Sequence, residues 1–202
     1  MNRTIIILLA CCFSFTLFSQ KNYKYITKHK KSEKDEYYLE IQPSSEKYFN
    51  AKSKHGKIID DRDIFVGYSY HQKIEILQEL LTFCGDTTRS CKKYKIREDA
   101  IISFEIQPFT TQIEALYTFS RVLMLAFPSI KPQLTDKRGR KNYNNDQKAI
   151  DEVYGIYRTW LKKEKKSRFE NFELPMSGTK YKWNGQEKLS NKWFINFHYI
   201  KD

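Results

Sequence analysis

Apolar and polar positions alternate along this chain with two periods, and together they predict three helical runs and several short strands. The run over residues 111–127 (TQIEALYTFSRVLMLAF) is apolar around most of a helical circumference. Glu114, Thr118 and Arg121, four and then three apart, form its narrow polar face. A helix buried so widely must be wrapped by other elements, so this run is expected at the centre of the core. Thr111 with Glu114 fits a capping box at its start, and Pro128 closes it.

A second helix is predicted from Ser69, which with Gln72 fits another capping box. Tyr70, Ile74, Leu77, Leu81 and Cys84 then make one stripe, and Gly85 supplies the stop. A third runs over residues 145–166, with Ile150, Val153, Tyr157 and Trp160 inward and a lysine-rich last turn suited to the helix dipole. Strands are predicted at 37–42, 63–68, 100–107, 179–183 and 192–200, with Asn184-Gly185 as a hairpin turn. The fold class that follows is α+β. A single domain places three helical segments on a small, mainly antiparallel sheet, after an N-terminal signal peptide.

The signal peptide is read from Met1–Ser19. A short basic start, an apolar run over residues 5–18 and a small residue before the cut have the secretory layout. The run is shorter than the ~20 residues of a spanning helix. Leu8-Leu9-Ala10-Cys11 also resembles a lipobox, so lipid attachment at Cys11 is an alternative mode of export. Residues 20–202 then form one exported domain, with 20–36 a basic arm or a weak edge strand leading in. A periplasmic or secreted location follows.

Export changes the reading of the cysteines. Cys11 and Cys12 leave with the signal, and Cys84 and Cys91 flank a short polar loop, so a disulfide between them is expected. Closing such a loop contributes about 2.5 kcal/mol on the chain-entropy estimate. The spacing is too wide for a C-x-x-C redox motif, and no Cys/His set completes a zinc site.

Charge narrows the partners. The formal net charge is +12, an attraction toward anionic lipid, acidic polysaccharide, nucleic acid or an acidic protein. Residues 128–143 read as a long loop in which Lys137, Arg138, Arg140 and Lys141 bracket Gly139. Such a loop can wrap an anion with side chains and backbone N–H groups, and the basic run 162–168 extends the patch if the two lie close together.

Other candidate chemistry is weaker. Ser69 in Gly67-Tyr68-Ser69-Tyr70-His71 misses the nucleophile-elbow pattern and is better explained as a cap. Asp60, Asp61 and Asp63 lack the rest of a calcium loop. His29, His55, His71 and His198 have no metal-ligand spacing. Tyr181, Trp183, Trp193 and Tyr199 form either a sugar-binding platform or, the reading favoured by aromatic burial, a core face.

No catalytic residue, metal or cofactor is therefore assigned. The expected function is that of a non-enzymatic exported binding protein whose basic loop contacts an anionic envelope component or an acidic partner. A small exported hydrolase acting on a glycan or anionic substrate is the alternative. Export makes nucleic acid a poor partner.

Overall fold

A buried helix and the strands it supports organise the chain. The computed structural model describes residues 23–31, 35–44, 61–92, 109–123, 132–168 and 173–184, the side chains of Arg62 and Asp63 excepted. The signal peptide and the strands predicted at 100–107 and 192–200 lie outside them. In order, the elements are β1 (Ile26–Lys31), β2 (Glu36–Ile41), α1 (Asp61–Val66), α2 (Tyr70–Leu80), a 3-10 turn (Leu81–Phe83), β3 (Arg89–Ser90), β4 (Phe109–Thr110), α3 (Thr111–Val122), β5 (Leu134–Asp136), α4 (Gln147–Ser167) and β6 (Tyr181–Trp183). The fold is mixed helix and sheet, with four helices among the described residues, none long and apolar enough to cross a membrane.

The first sheet has the order β1-β2-β3-β4, antiparallel except for the short β2-β3 pairing. The second is the antiparallel pair β5-β6, in which Thr135 faces Lys182. The basic stretch after residue 20 thus contains an edge strand, β1. Its first residues are pinned to α2, because the Glu79 carboxylate accepts the amides of Tyr25 and Ile26.

The central helix is buried more completely than its pattern suggests. All twelve residues of α3 are buried, including the polar face of Glu114, Thr118 and Arg121. Around it pack Leu39 and Ile41 of β2, Ile74 and Leu77 of α2, Val153 and Tyr157 of α4, and Trp183 of β6, all in one apolar cluster. The expected capping box at Thr111 is not formed. Thr110 is the N-cap and makes no side-chain cap bond. The Thr111 hydroxyl donates to the Thr88 carbonyl, and Glu114 is drawn sideways to the sheet.

The box at Ser69 does form: its hydroxyl accepts from the Gln72 amide while the Gln72 side chain accepts the Ser69 amide. The predicted strand at 63–68 is instead the short helix α1 and the turn after it. The period explains the difference, since Asp61, Ile64, Phe65 and Tyr68 are buried while Val66 is exposed. Those positions repeat at three and four, a helical spacing that the strand reading missed by starting two residues late.

Candidate functional site

The basic segment is a built turn. The expected long loop contains β5, and the chain reverses directly after Asp136. The Asp136 amide donates to the Lys141 carbonyl at 3.1 Å, and the Gly139 amide donates to the Asp136 carbonyl at 2.9 Å. The Asp136 carboxylate accepts the Arg140 amide at 2.7 Å and the Lys141 amide at 3.4 Å. Those amides hold its pKa below the ordinary value, the Arg140 N–H first. Gly139 sits at φ 69°, the left-handed region that a side chain resists. The Lys137 amide reaches across to the Lys180 carbonyl at 3.1 Å, fixing the turn to the residue before β6.

This construction revises the anion cradle expected from sequence. The N–H groups of Gly139, Arg140 and Lys141 are engaged by Asp136, so the side chains alone are on offer. All four, Lys137, Arg138, Arg140 and Lys141, are exposed. Lys141 lies over the Tyr143 ring at 4.5 Å and 3.6 Å from Asp146. Lys137, Arg138 and Arg140 make no ion pair with a described residue. Asp at the first position and Gly at the fourth is a type I turn signature, and that signal was present in the sequence.

The second basic run does not merge with the first. The turn stands beside Asp146, the N-cap of α4, where the Asp146 carboxylate accepts the Ala149 amide. Lys162, Lys163, Lys165 and Lys166 occupy the other end, with Arg168 at the C-cap. At 1.5 Å per residue, Asp146 and Lys162 are about 24 Å apart along the axis.

A different cluster holds the carboxyl shifted furthest among the described residues. Glu114 accepts the Leu39 amide at 2.6 Å and the Ser90 hydroxyl at 2.6 Å. Lys92 donates to the Leu39 carbonyl and lies 3.1 Å from the Asp61 carboxylate. Burial pushes the Glu114 carboxyl up to about 7 against the opposing pull of Lys92. For Lys92, burial works against the ammonium, but the carboxylates of Asp61 and Glu114 outweigh it and hold the pKa above the ordinary value. The cluster has a structural cause. β3 ends at Ser90, so the Leu39 N–H and C=O, facing away from β1, have no strand to pair with among the described residues. Two charged side chains complete the ladder in its place.

The remaining sequence candidates are engaged elsewhere. Ser69 is a helix cap. Asp61 faces Lys92, and Asp60 lies outside the described residues, among which no group of His, Cys, Asp and Glu could hold a metal ion. His29 lies 2.8 Å from Glu40 and stacks on Tyr38, and His71 lies 3.5 Å from Glu75 one helical turn on. Tyr181 and Trp183 are core residues, as aromatic burial favours; Trp193, Tyr199, His55 and His198 fall outside the described residues.

The expected disulfide is not formed: Cys84 and Cys91 are free thiols. The Cys84 thiol is turned toward Asp151 of α4 at 3.8 Å, and the Cys91 amide donates to Tyr37 of β2 at 2.7 Å. The Cys84 thiol thus faces α4, while Cys91 is held to β2 through its backbone.

In comparisons with known proteins, no family model, no curated protein and no solved structure matches this chain.

Proposed function

We propose that this chain is an exported, non-enzymatic binding protein whose Lys137–Lys141 turn contacts an anionic partner, either an envelope component or an acidic protein. The observation that carries the reading is the construction of the turn. Asp136 and Gly139 fix its backbone, and three of its cations face solvent without an ion pair among the described residues. Cations on a preorganised turn lose little freedom on binding, which favours affinity. The net charge of +12 adds long-range attraction. Export rests on the apolar leader of Met1–Ser19, with attachment through Cys11 as its other form. The Glu114 carboxyl, on which a hydrolytic reading would draw, already serves the Leu39 amide and the Ser90 hydroxyl.

The test compares the chain, purified after export, with a variant carrying Lys137→Glu, Arg138→Glu, Arg140→Glu and Lys141→Glu. Retention on heparin, DNA and anionic lipid is measured across a salt gradient. Retention that weakens with salt and is lost in the variant supports the reading. Equal retention of both proteins refutes it.

A further inference from the structure

The outer face of α4 joins the two basic clusters. Lys148, Glu152, Gly155, Thr159, Lys162 and Lys166 step by four, three, four, three and four, and every one of them is exposed. They form one stripe along the helix. From Lys148 to Lys166 it spans about 27 Å at 1.5 Å per residue. Of the acids near its first half, Glu152 is compensated by Lys180, whereas Asp151 keeps its charge. Glu152 accepts the Tyr181 hydroxyl at 2.7 Å and lies 2.9 Å from Lys180, while Asp151 accepts the Gln147 amide nitrogen at 2.7 Å. Positive charge is left at both ends, from the basic turn with Lys148 and from Lys162 and Lys166, with Lys163 beside them 3.9 Å from the buried Glu164 carboxylate.

Between the ends lies a shallow groove of about 450 Å³, lined by Glu152, Gly155, Ile156, Thr159, Trp160 and Pro175. Gly155 leaves its floor open, since a Cβ there would meet no atom within 4 Å. The Trp160 indole donates to the Glu173 carbonyl, which fastens the Pro175 wall beside the helix.

We propose that an extended acidic polysaccharide lies along this face, gripped by the basic turn at one end of α4 and by Lys162, Lys163 and Lys166 at the other. The inference rests on the reading of the basic turn as an anion site and names its partner. A sugar chain matches the surface in three respects. It carries repeated negative charge, it is long enough to reach both ends, and its rings present apolar faces to a mostly apolar groove with Thr159 and Glu152 at the rim. A bilayer fits less well, because the large hydrophobic side chain exposed among the described residues is Val66 of α1, not a residue of α4. A single-stranded nucleic acid draws on exposed rings for stacking, and Trp160, Tyr181 and Trp183 are buried.

The probe is a series of end-labelled oligogalacturonates of increasing length, titrated into the full exported chain by fluorescence anisotropy. Two variants accompany it: Lys137→Gln with Arg138→Gln and Arg140→Gln, and Lys162→Gln with Lys163→Gln and Lys166→Gln. Circular dichroism verifies that α4 is intact in each. For the unaltered chain, affinity is expected to climb roughly hundredfold once the oligomer is long enough to reach both ends. Either variant returns the long oligomer to the affinity of a short one. If the helix-end variant binds long oligomers as the unaltered chain does while the turn variant fails, the α4 track is wrong and the turn reading stands. If neither variant weakens binding, both are wrong. Vesicles of anionic lipid run in parallel; binding to them but to no oligomer overturns the polysaccharide.

Discussion

Glu114 of α3 accepts the Leu39 amide of β2 at 2.6 Å, a contact between residues far apart in sequence that takes the place of a strand partner among the described residues. β3 pairs with β2 only at Glu36 and Tyr37, and beyond that point the sheet is continued by side chains. Glu114 serves the amide of Leu39 and Lys92 its carbonyl, so the helix is tied to the sheet through charge inside an apolar core. That arrangement makes stability depend on pH in a definite direction.

The folded-state pKa of Glu114, about 7, lies above its ordinary value of 4.5, so the folded chain holds this proton more tightly than the unfolded one. The resulting stabilisation is fully present below pH 4.5 and is lost as pH rises through 7. Relative to Glu114→Gln, the unaltered chain should lose about 3 kcal/mol across that window. Urea unfolding of both proteins at pH 4.5 and about pH 8 measures it. A difference that does not change with pH contradicts the assignment.

Lys92→Met removes the cation beside Asp61 and Glu114 and the donor to the Leu39 carbonyl. A buried carboxylate deprived of its partner is strongly destabilising, so a loss of about 3 kcal/mol is expected near pH 7. The loss should shrink in acid, where protonation of Glu114 removes one of the uncompensated charges. Equal losses at both pH values would show that Lys92 acts through packing alone.

Residues whose side chains act locally were legible in the sequence. Ser69 and Gln72 cap α2 because both partners lie within one turn, and the stripe of α4 appears because its period repeats over several turns. Glu114 was misread for the opposite reason. Its spacing from Thr111 suggested a cap, but its partners come from β2 and β3, which no local pattern places beside it. The short α1 offered too few residues to separate a helical from a strand period. Cys84 and Cys91 are near in sequence, yet neighbours from α4 and β2 hold them separately. The basic turn was found by its charge, while the role of Asp136, which takes the backbone donors, was not.

The Asp136 carboxyl lies below its ordinary value of 3.8 because the Arg140 amide and its neighbours stabilise the anion. Its contribution to the turn is present above that value and is lost as pH falls below it. The amide resonances of Arg140 and Lys141 should therefore titrate together below pH 3.8, and should not do so in Asp136→Asn. Gly139→Val, which strains the φ 69° position while leaving Asp136 and all four cations in place, should weaken anion binding. Undiminished binding would show that a fixed turn is unnecessary.

Tyr157 tests a second polar contact inside the core. Its hydroxyl meets Ser120 and accepts the Trp183 indole N–H at 3.1 Å, and burial pushes its pKa up to about 12. Tyr157→Phe should destabilise by about 1 kcal/mol, the usual net value of a buried hydrogen bond. In an alkaline absorbance titration the unaltered chain should show a phenol that ionises near pH 12, and this component should be missing from the variant. Ionisation of every tyrosine near its ordinary value of 10 would contradict the buried site.

Gly155 separates what α4 needs as a helix from what its face needs as a surface. A glycine inside a helix is about 1 kcal/mol less favourable than alanine, because the backbone loses more freedom on folding. An added Cβ would meet nothing within 4 Å, so Gly155→Ala should stabilise the chain by about that amount in thermal or urea unfolding. Packing therefore gives no reason for glycine here, but the groove does. A bulkier Gly155→Phe places a ring where a sugar would lie. It should weaken binding of long oligogalacturonates while leaving short ones, held at the basic turn, unchanged. If the ring leaves long oligomers equally well bound, the groove floor takes no part and the chain crosses this helix elsewhere.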